Sequence, residues 1–416
     1  MSMANVSSPF LPQTISLYIT YRCQSRCRHC FLVENDKIGR YELPLEQCLS
    51  IIDEARDHRA YMLVLSGGEP LLHRDFDLIV EYARTAGLLP LVGLTGAGVT
   101  DEHVETLCRH GIPSVQVSLD GATARSNDAI RGAGSFNEVG DAIVRLRAAG
   151  LKVNLALCLH EQNRGEAMAL FEHAWRLGVA RVKLAFYESS GSCAAFEPLT
   201  PGMKREVLQA ASAFMDSKSG DGWIACPTHD VRTGREIRPT RRLPPLVIGA
   251  DGELAAGEWG ERIGSLSEGA LAEQYCTFVA GKQAAFFERV VLDAATQHGI
   301  ASVTVAAHDI GANALIYEHG GQRHVVVSER VEGALRFFTT LHEIGHVATR
   351  TLATDPRRHA SIDVERQVNL WVLDMLRDHI SADSLAEYVA AASCSEAALY
   401  RLVDQRLDKD LTNYWC

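Results

Sequence analysis

Short apolar runs alternate with amphipathic stretches along the first half of the chain. Six runs have β-like character: Ser16–Tyr21, Met62–Leu65, Leu89–Leu94, Ser114–Leu119, Lys152–Leu157 and Arg181–Phe186. Helical periodicity fills the intervals between them, near residues 44–56, 75–86, 100–109, 137–149 and 165–177. Helices of crossover length between strands favour parallel strand pairing. The pattern therefore predicts an α/β fold whose parallel sheet is either open or curled into a barrel.

The pattern changes after residue 216. A polar, glycine-rich stretch from about Ser217 to Gly234 indicates a boundary, because such residues dominate turns and loops. A β-like piece follows at Pro245–Leu254, with Asp251-Gly252 as a hairpin signal. Beyond about residue 275 the chain is mainly helical, with one candidate strand pair near 314–317 and 324–328. We therefore predict three domains, covering 1–216, 217–276 and 277–416.

Charge and hydropathy exclude some classes of partner. The net charge of −11, from 41 basic and 52 acidic residues, argues against a nucleic-acid-binding protein and gives no attraction to an anionic membrane. No stretch approaches the roughly 18 apolar residues of a membrane span. The first 13 residues lack the pattern of a secretory signal. We expect a cytoplasmic protein without nucleic-acid or membrane partners.

Three of the 11 cysteines, Cys23, Cys27 and Cys30, fall in one short segment directly after the first predicted strand. Three thiolates at this spacing can bind one face of a [4Fe–4S] cluster and leave one iron open for another ligand. A structural zinc site is the alternative, but it needs a fourth ligand, and His29 lies awkwardly between two cysteines. Three incidental thiols are the other alternative. The spacing favours the iron–sulfur cluster.

The C-x3-C-x2-C spacing, with Phe31 next, resembles the radical S-adenosylmethionine (SAM) superfamily. Gly67-Gly68-Glu69-Pro70 is similar to the GGEP motif of that family, and the segment from Ser118 to Phe136 resembles its peptide-modifying branch. The resemblance implies a SAM site formed by Phe31, Gly67, Gly68, Glu69, Pro70, Ser118 and Arg131. Taken alone, the glycines and proline would be a turn. Ser118 and Arg131 could equally be a strand-end serine and a surface arginine.

That resemblance carries a fold and a chemistry. It implies a partial (β/α)6 TIM-like barrel in which the cluster reduces SAM and a 5′-deoxyadenosyl radical takes a hydrogen atom from a peptide. It also implies an electron donor, either a reductase or a flavodoxin or ferredoxin. Residues 245–266 resemble the SPASM segment of the peptide-modifying branch, but Ala255-Ala-Gly257 stands where that family has a cysteine. Because Cys193, Cys226 and Cys276 share no compact spacing, we expect a cluster-free cap with ordinary buried thiols.

A second chemical motif, His342-Glu343-x-x-His346, lies near the C-terminus. On a helix the two histidines fall one above the other and can both bind Zn²⁺, while Glu343 can act as general base towards a bound water. A catalytic zinc site needs a third protein ligand, and Glu365, 19 residues after His346, suits that role. The alternative is a helix with two histidines that are solvated or satisfied in the core.

Residues 281–380 resemble the ImmA/IrrE family of metallopeptidases, in the Phe-rich lead-in and in the segment Glu365–Asn369. The resemblance implies a mainly helical, zincin-like domain that hydrolyses peptide bonds, although Met375-Leu-Arg departs from the family's Leu-Met-Pro-like ending. The leading hypothesis is thus a bifunctional peptide-maturation enzyme. One alternative is radical chemistry on a non-peptide small molecule, with the zinc domain serving as a hydrolase or recognition module. Another is an iron–sulfur or zinc sensor without turnover.

Overall fold

The computed structural model describes residues 10–188, 195–218, 222–236, 245–257, 260–306, 312–351, 361–407 and 410–411. These residues form two compact units, the first containing 10–236 and 245–276 and the second starting at Thr277. The division into domains at 216 and 276 stays a prediction. Cys193 and Cys416 lie outside the described residues.

The described part of the first unit contains a ten-stranded sheet with the order β10-β9-β8-β1-β2-β3-β4-β5-β6-β7. Its strands are β1 Thr14–Thr20, β2 Met62–Gly67, β3 Leu89–Leu94, β4 Ser114–Ser118, β5 Lys152–Leu159, β6 Arg181–Phe186, β7 Ile224–Ala225, β8 Leu246–Ile248, β9 Glu253–Ala256 and β10 Arg262–Ser265. All neighbours from β8 through β1 to β7 pair in parallel. The predicted α/β fold with a parallel sheet is confirmed.

Helices connect the parallel strands. They are α1 Phe31–Glu34, α2 Leu45–Asp57, α3 Phe76–Thr85, α4 Asp101–Arg109, α5 Ala124–Arg131, α6 Ser135–Ala148, α7 Ala167–Leu177 and α8 Pro201–Lys218, with short 3-10 helices at Pro70–Leu72 and Arg164–Glu166. The sequence pattern predicted α2, α3, α4, α6 and α7 to within about two residues. It missed α5, which contains the segment interpreted as a SAM-binding motif.

The two faces of each parallel strand have different surroundings. In β1, Ile15, Leu17 and Ile19 are fully buried, whereas the alternate residue Ser16 faces a cavity of about 610 Å³. That cavity is lined by side chains from all six strands β1 to β6. A sheet that encloses a cavity with one face is curled, which is consistent with the predicted partial barrel.

The β-like piece after residue 245 extends this sheet. Leu17 of β1 pairs with Ile248 of β8, and β8 then forms an antiparallel hairpin with β9. Gly252 in the connecting turn has φ +81°, a conformation that glycine adopts without strain. The hairpin signal at Asp251-Gly252 is confirmed.

The second unit combines a small sheet with helices. Helix α9 Leu271–Gln297 begins in the first unit and enters the second at Thr277. The other elements of the second unit are β11 Ile300–Val305, β12 Ala314–His319, β13 Gln322–Val327, α10 Gly333–Ala348, α11 Ile362–Met375, α12 Ala382–Cys394 and α13 Glu396–Leu402, followed by a π-helix at Val403–Leu407, with a 3-10 helix at Arg377–His379. The predicted strand pair corresponds to β12 and β13, which are antiparallel; β11, parallel to β13, was not predicted. Fully buried Phe338, Leu341 and Val372 bring α10 and α11 into one core. The zincin-like fold of this unit stays a prediction.

The helices were also compared with the length and hydropathy of a membrane span. None of the helices in the described part of the chain is both long enough and apolar enough to cross a membrane.

Candidate functional site

The three clustered cysteines occupy the loop between β1 and α1. Cys23, Cys27 and Cys30 all line one cavity of about 220 Å³ in the first unit. Cys27 is buried, and the other two are partly exposed. Burial raises the pKa of all three thiols. In this environment a positive charge or a metal is needed to hold them as thiolates.

The predicted SAM-binding residues divide into two groups. Five of them line the same cavity as the cysteines: Phe31, Gly67, Gly68, Ser118 and Arg131. The other two, Glu69 and Pro70, are buried and do not line this cavity. The structure therefore brings most of the predicted site together around the cysteine loop.

The two glycines permit close contact between the end of β2 and the cysteine loop. A Cβ on Gly68 would lie 2.2 Å from the carbonyl oxygen of Arg22, and one on Gly67 would lie 2.4 Å from that of Thr20. Gly68 N–H donates to the Thr20 oxygen at 2.8 Å, and Glu69 N–H donates to the Arg22 oxygen at 2.8 Å. No larger residue fits here without moving the backbone.

Glu69 is 2% exposed and has a hydrogen-bonding partner that sequence reasoning missed. Its Oε2 accepts from the backbone N–H of Thr95 at 2.9 Å and from Thr95 Oγ1 at 2.7 Å. Burial raises the pKa of Glu69 to about 7, and the Thr95 hydrogen bonds oppose that shift. Thr95 directly follows β3, and its position at the end of a parallel strand is the sequence feature that could have marked it as a site residue.

Arg131 connects the cysteine loop to a buried carboxylate. Its Nε donates to Asp120 Oδ2 at 2.6 Å, and its Nη1 lies 3.8 Å from Cys27 Sγ. Burial raises the pKa of Asp120, but the charges of Arg131 and His29 outweigh burial and hold that pKa below its usual range. The side chain of Arg131 is only 11% exposed, so the surface-arginine alternative is wrong. Asp120 was missed, although it lies two residues after Ser118.

The remaining cysteines named in the sequence prediction have separate partners. Cys226 Sγ lies 3.4 Å from Thr228 Oγ1, and Cys276 Sγ donates to the carbonyl oxygen of Phe10 at 3.4 Å. Both are buried. These contacts are typical of ordinary buried thiols, and the cluster-free cap stays a prediction.

The second unit brings the HExxH histidines to a glutamate. His342 and His346 lie on α10, and Glu365 lies on α11. Glu365 Oε2 is 2.9 Å from His342 Nε2 and 3.6 Å from His346 Nε2. One ligand atom from each of the three residues lies within 4.8 Å of the others. Hydrogen bonds from the two histidines lower the pKa of Glu365 to about 2.

The other ring nitrogens of both histidines are held by residues that lack an assigned role in the sequence prediction. His342 Nδ1 lies 2.9 Å from Asn369 Oδ1, and His346 Nδ1 lies 3.1 Å from Thr351 Oγ1. Since an amide oxygen only accepts, His342 Nδ1 must carry a proton, and Nε2 is the ring nitrogen that faces Glu365. Two imidazole nitrogens and one carboxylate oxygen, oriented by outer partners, are a donor set that fits Zn²⁺.

Close helix packing creates this arrangement. A Cβ on Gly345 would lie 2.8 Å from Val368 and 2.9 Å from Trp371, so the glycine lets α11 approach α10. Glu343 lines the adjoining cavity together with Tyr400, and burial raises its pKa. The predicted general base thus shares a cavity with the three predicted ligands.

Comparisons with known proteins support the predicted resemblance of the first unit to radical SAM proteins. Residues 17–174 match the family described as the Radical SAM superfamily. Mycofactocin maturase MftC of Mycobacterium ulcerans is 34% identical over 248 residues, which cover 59% of this chain and 62% of the relative. AdoMet-dependent heme synthase of Methanosarcina barkeri is 30% identical over 47% of this chain and 57% of the relative. The chain thus spans less than two thirds of the length of either relative.

A solved structure shares the fold. The crystal structure of Streptococcus suis SuiB bound to precursor peptide SuiA aligns with a TM-score of 0.55 at 14% identity, covering 64% of each chain. This likeness supports the fold of the first unit, and residues 17–174 are the segment that matches the Radical SAM superfamily. The matched segment ends before the second unit begins, and the ImmA/IrrE-like assignment remains a prediction.

Proposed function

We propose that the first unit is a radical SAM enzyme that modifies a peptide. The observation that carries this proposal is the single cavity lined by three thiols, two glycines, Ser118 and Arg131. The family match over 17–174 supports the chemistry. The maturase among the relatives and the SuiB–SuiA complex support a peptide as substrate.

Cys23, Cys27 and Cys30 would hold a [4Fe–4S] cluster. The residues fit this group, because they offer three thiol ligands and a guanidinium close to Cys27 Sγ that favours the thiolate. When bound, the cluster supplies the electron that cleaves SAM to a 5′-deoxyadenosyl radical. A reductase, flavodoxin or ferredoxin would deliver that electron.

The chain's own residues would bind and orient SAM. The backbone at Gly67 and Gly68 lies open to the cavity because neither residue has a side chain. Ser118 offers a hydroxyl and Arg131 a guanidinium for the polar groups of SAM, while Phe31 offers an apolar ring face. Glu69 does not line the cavity, but it directly follows Gly68, and its carboxylate would accept a hydrogen bond there.

A substrate would occupy the larger cavity inside the curled sheet. This cavity of about 610 Å³ shares Tyr18, Ser66, Gly93 and Gln116 with the wall of the cysteine cavity. Groups bound in one cavity therefore lie next to groups bound in the other. Such an arrangement places a substrate C–H bond beside the SAM site and away from bulk water.

The test is a search for a modified peptide. The full-length protein, reconstituted anaerobically with iron and sulfide, is incubated with reductant, SAM and peptides encoded by neighbouring genes, and products are analysed by mass spectrometry. We expect a SAM-dependent mass change that Cys23→Ala abolishes and that Cys108→Ala, at an exposed cysteine outside the cavity, retains. A product from a small molecule alone would favour the non-peptide alternative, which the heme synthase relative supports.

A second activity is favoured by the convergence of His342, His346 and Glu365. We propose that these residues hold Zn²⁺ and that the second unit hydrolyses a peptide bond. Zinc supplies a Lewis acid with an open position for water. Glu343 lines the same cavity and would take up the proton of that water.

Two glutamate variants separate metal binding from hydrolysis. Glu365→Gln should lose zinc by elemental analysis, whereas Glu343→Gln should retain zinc and lose peptide cleavage. If Glu343→Gln cleaves peptides as the wild type does, hydrolysis by this site is wrong. A sensor without turnover would instead show no SAM cleavage and would bind its partner equally well in the Glu343→Gln variant.

A further inference from the structure

Three polar side chains line the larger cavity inside the curled sheet. Gln116, Asn154 and Lys183, from β4, β5 and β6, all line the cavity inside the curled sheet. All three are partly buried. Within the described part of the chain, none of these side chains has a hydrogen bond or an ion pair. Polar groups in a cavity of this kind remain available to a ligand.

Strand register places the three side chains close together. Gln116 pairs directly with Asn154 across β4 and β5. One row further along, Ser118 pairs with Ala156, and Ala156 pairs with Lys183. Paired residues of parallel strands point to the same face, so Lys183 leaves the sheet two strands from Ser118, about 10 Å away. The two amides lie two residues earlier along β4 and β5, in the row directly before Ser118 and Ala156.

Small neighbours leave room for the lysine side chain. Lys183 is flanked in the sheet by Ala156 on β5 and by Ala225 on β7. Neither alanine reaches beyond its Cβ, so the lysine stem can extend into the cavity. Its ammonium group then enters a space that is also lined by apolar residues such as Val64 and Leu91.

The charge in this cavity is not balanced from within. Among the described residues that line it, the charged ones are Lys183 and Glu188. Glu188 has a 67% exposed side chain and faces Lys204 at 3.8 Å. Lys183 is thus a partly buried cation that has no counter-ion among the residues the structure describes. An anionic group of a ligand would provide one.

We propose that Gln116, Asn154 and Lys183 form a subsite for a carboxylate group of the substrate. The inference rests on the proposed role of this cavity as the substrate site. A carboxylate offers two oxygens with about four acceptor positions, and an ammonium and two amides supply donors to match. The substrate would be anchored at Lys183, with its reacting part directed towards Ser118 and the cysteine loop.

Binding of three simple probes tests the subsite. The probes are N-acetylphenylalanine, with a terminal carboxylate, N-acetylglutamic acid α-amide, with a side-chain carboxylate, and N-acetylphenylalanine amide, with none. Dissociation constants are measured by saturation-transfer NMR at pH 7.5 on the reconstituted full-length protein. We expect at least one carboxylate to bind about tenfold more tightly than the amide. The carboxylate that binds more tightly shows whether the subsite takes a C-terminal or a side-chain carboxylate of the substrate.

Variants assign the preference to this site. Lys183→Met should bring the acid and amide affinities to within about twofold, because the charge is removed. Lys152→Met, at an exposed lysine that begins β5, should leave the tenfold preference intact. Asn154→Asp should weaken carboxylate binding by charge repulsion, and it provides a second test if Lys183→Met does not fold.

The contradicting results are equally definite. Equal affinity of wild type for acids and amide, or an acid preference that persists in both Lys183→Met and Asn154→Asp, would overturn the subsite. A different observation would contradict the proposed radical function, namely that SAM yields no 5′-deoxyadenosine. Probe binding does not depend on that reaction, so the two failures are distinguishable.

Discussion

Arg131 Nε lies 2.6 Å from Oδ2 of Asp120, whose side chain is completely buried. The same guanidinium reaches Cys27 Sγ at 3.8 Å. Arg28 N–H also donates to the carbonyl oxygen of Ile130 at 2.9 Å. The cysteine loop therefore contacts the end of α5 through the Arg131 guanidinium and through a backbone hydrogen bond. Asp120 keeps the arginine in place without lining the cysteine cavity itself.

Asp120→Asn should strongly destabilise the protein. Removing one partner of a buried ion pair leaves the other charge uncompensated and typically costs about 3–5 kcal/mol. Urea unfolding of the cluster-free protein measures this loss. Asp53→Asn is the matched control, because its pair with Arg56 is about 40% exposed on both sides. That control should lose less than about 1 kcal/mol. Equal losses of unfolding free energy in the two variants would show that the buried pair does not stabilise the cysteine loop.

Glu69 should make the stability of the protein decrease with rising pH. Its folded-state pKa of about 7 lies above the roughly 4.3 of an unfolded glutamate. The folded state therefore holds the proton more tightly, and this stabilising contribution is lost as the pH rises towards 7. Between pH 5 and 7.5 the loss should be about 2–3 kcal/mol.

Glu69→Gln should remove that part of the pH dependence. Urea unfolding of the cluster-free wild type and variant at the two pH values gives the difference directly. Glu46→Gln, at an exposed position on α2, should keep the wild-type profile. A Glu69→Gln profile parallel to that of wild type would mean that Glu69 is ionised throughout this range.

Gly68→Ala should lower the melting temperature, because the added Cβ would lie 2.2 Å from a backbone oxygen of Arg22. Gly140→Ala is a matched control within helix α6, where nothing lies within 4 Å of the new Cβ. Alanine there should stabilise by about 0.5–1 kcal/mol. Both variants are compared by thermal unfolding of the cluster-free protein. A neutral Gly68→Ala would show that the end of β2 and the cysteine loop separate easily.

Asn369→Ala should weaken zinc binding in the second unit. Asn369 holds His342 by its Nδ1, and loss of such an outer partner typically reduces metal affinity about 10–100-fold. Competition with a chromophoric chelator measures the affinity. Ser393→Ala, near the surface of α12, should bind zinc as the wild type does. Unchanged affinity in Asn369→Ala would mean that the histidine is oriented by other contacts.

Sequence periodicity was sufficient to predict the six parallel strands and most of their connecting helices. In strands such as β6, alternating burial of Val182 and Leu184 gives a strong period-two signal, and the observed bounds match the prediction. The spacing of the cysteines and of the HExxH motif likewise located residues that the structure places around two cavities. Local spacing contains this information because each motif lies on one loop or one helix.

Contacts between distant segments were not predictable in the same way. The pairing of Leu17 with Ile248 involves a three-residue strand, which is too short to show a period. Helix α5 has few apolar residues, so its amphipathic pattern was weak, and the burial of Arg131 against Asp120 depends on that helix. Asn369 and Thr95 act through partners 27 and 26 residues away. Such pairs are set by packing, which one sequence does not reveal.

The most direct test of the account is the formation of 5′-deoxyadenosine. The full-length protein is reconstituted anaerobically, reduced in the presence of SAM and candidate peptides, and assayed for this product by liquid chromatography. We expect product from the wild type and from Cys108→Ala, and none from Cys27→Ala. A wild-type protein that holds a full cluster but forms no 5′-deoxyadenosine, or a Cys27→Ala variant as active as wild type, would contradict the assignment of the first unit as a radical SAM enzyme.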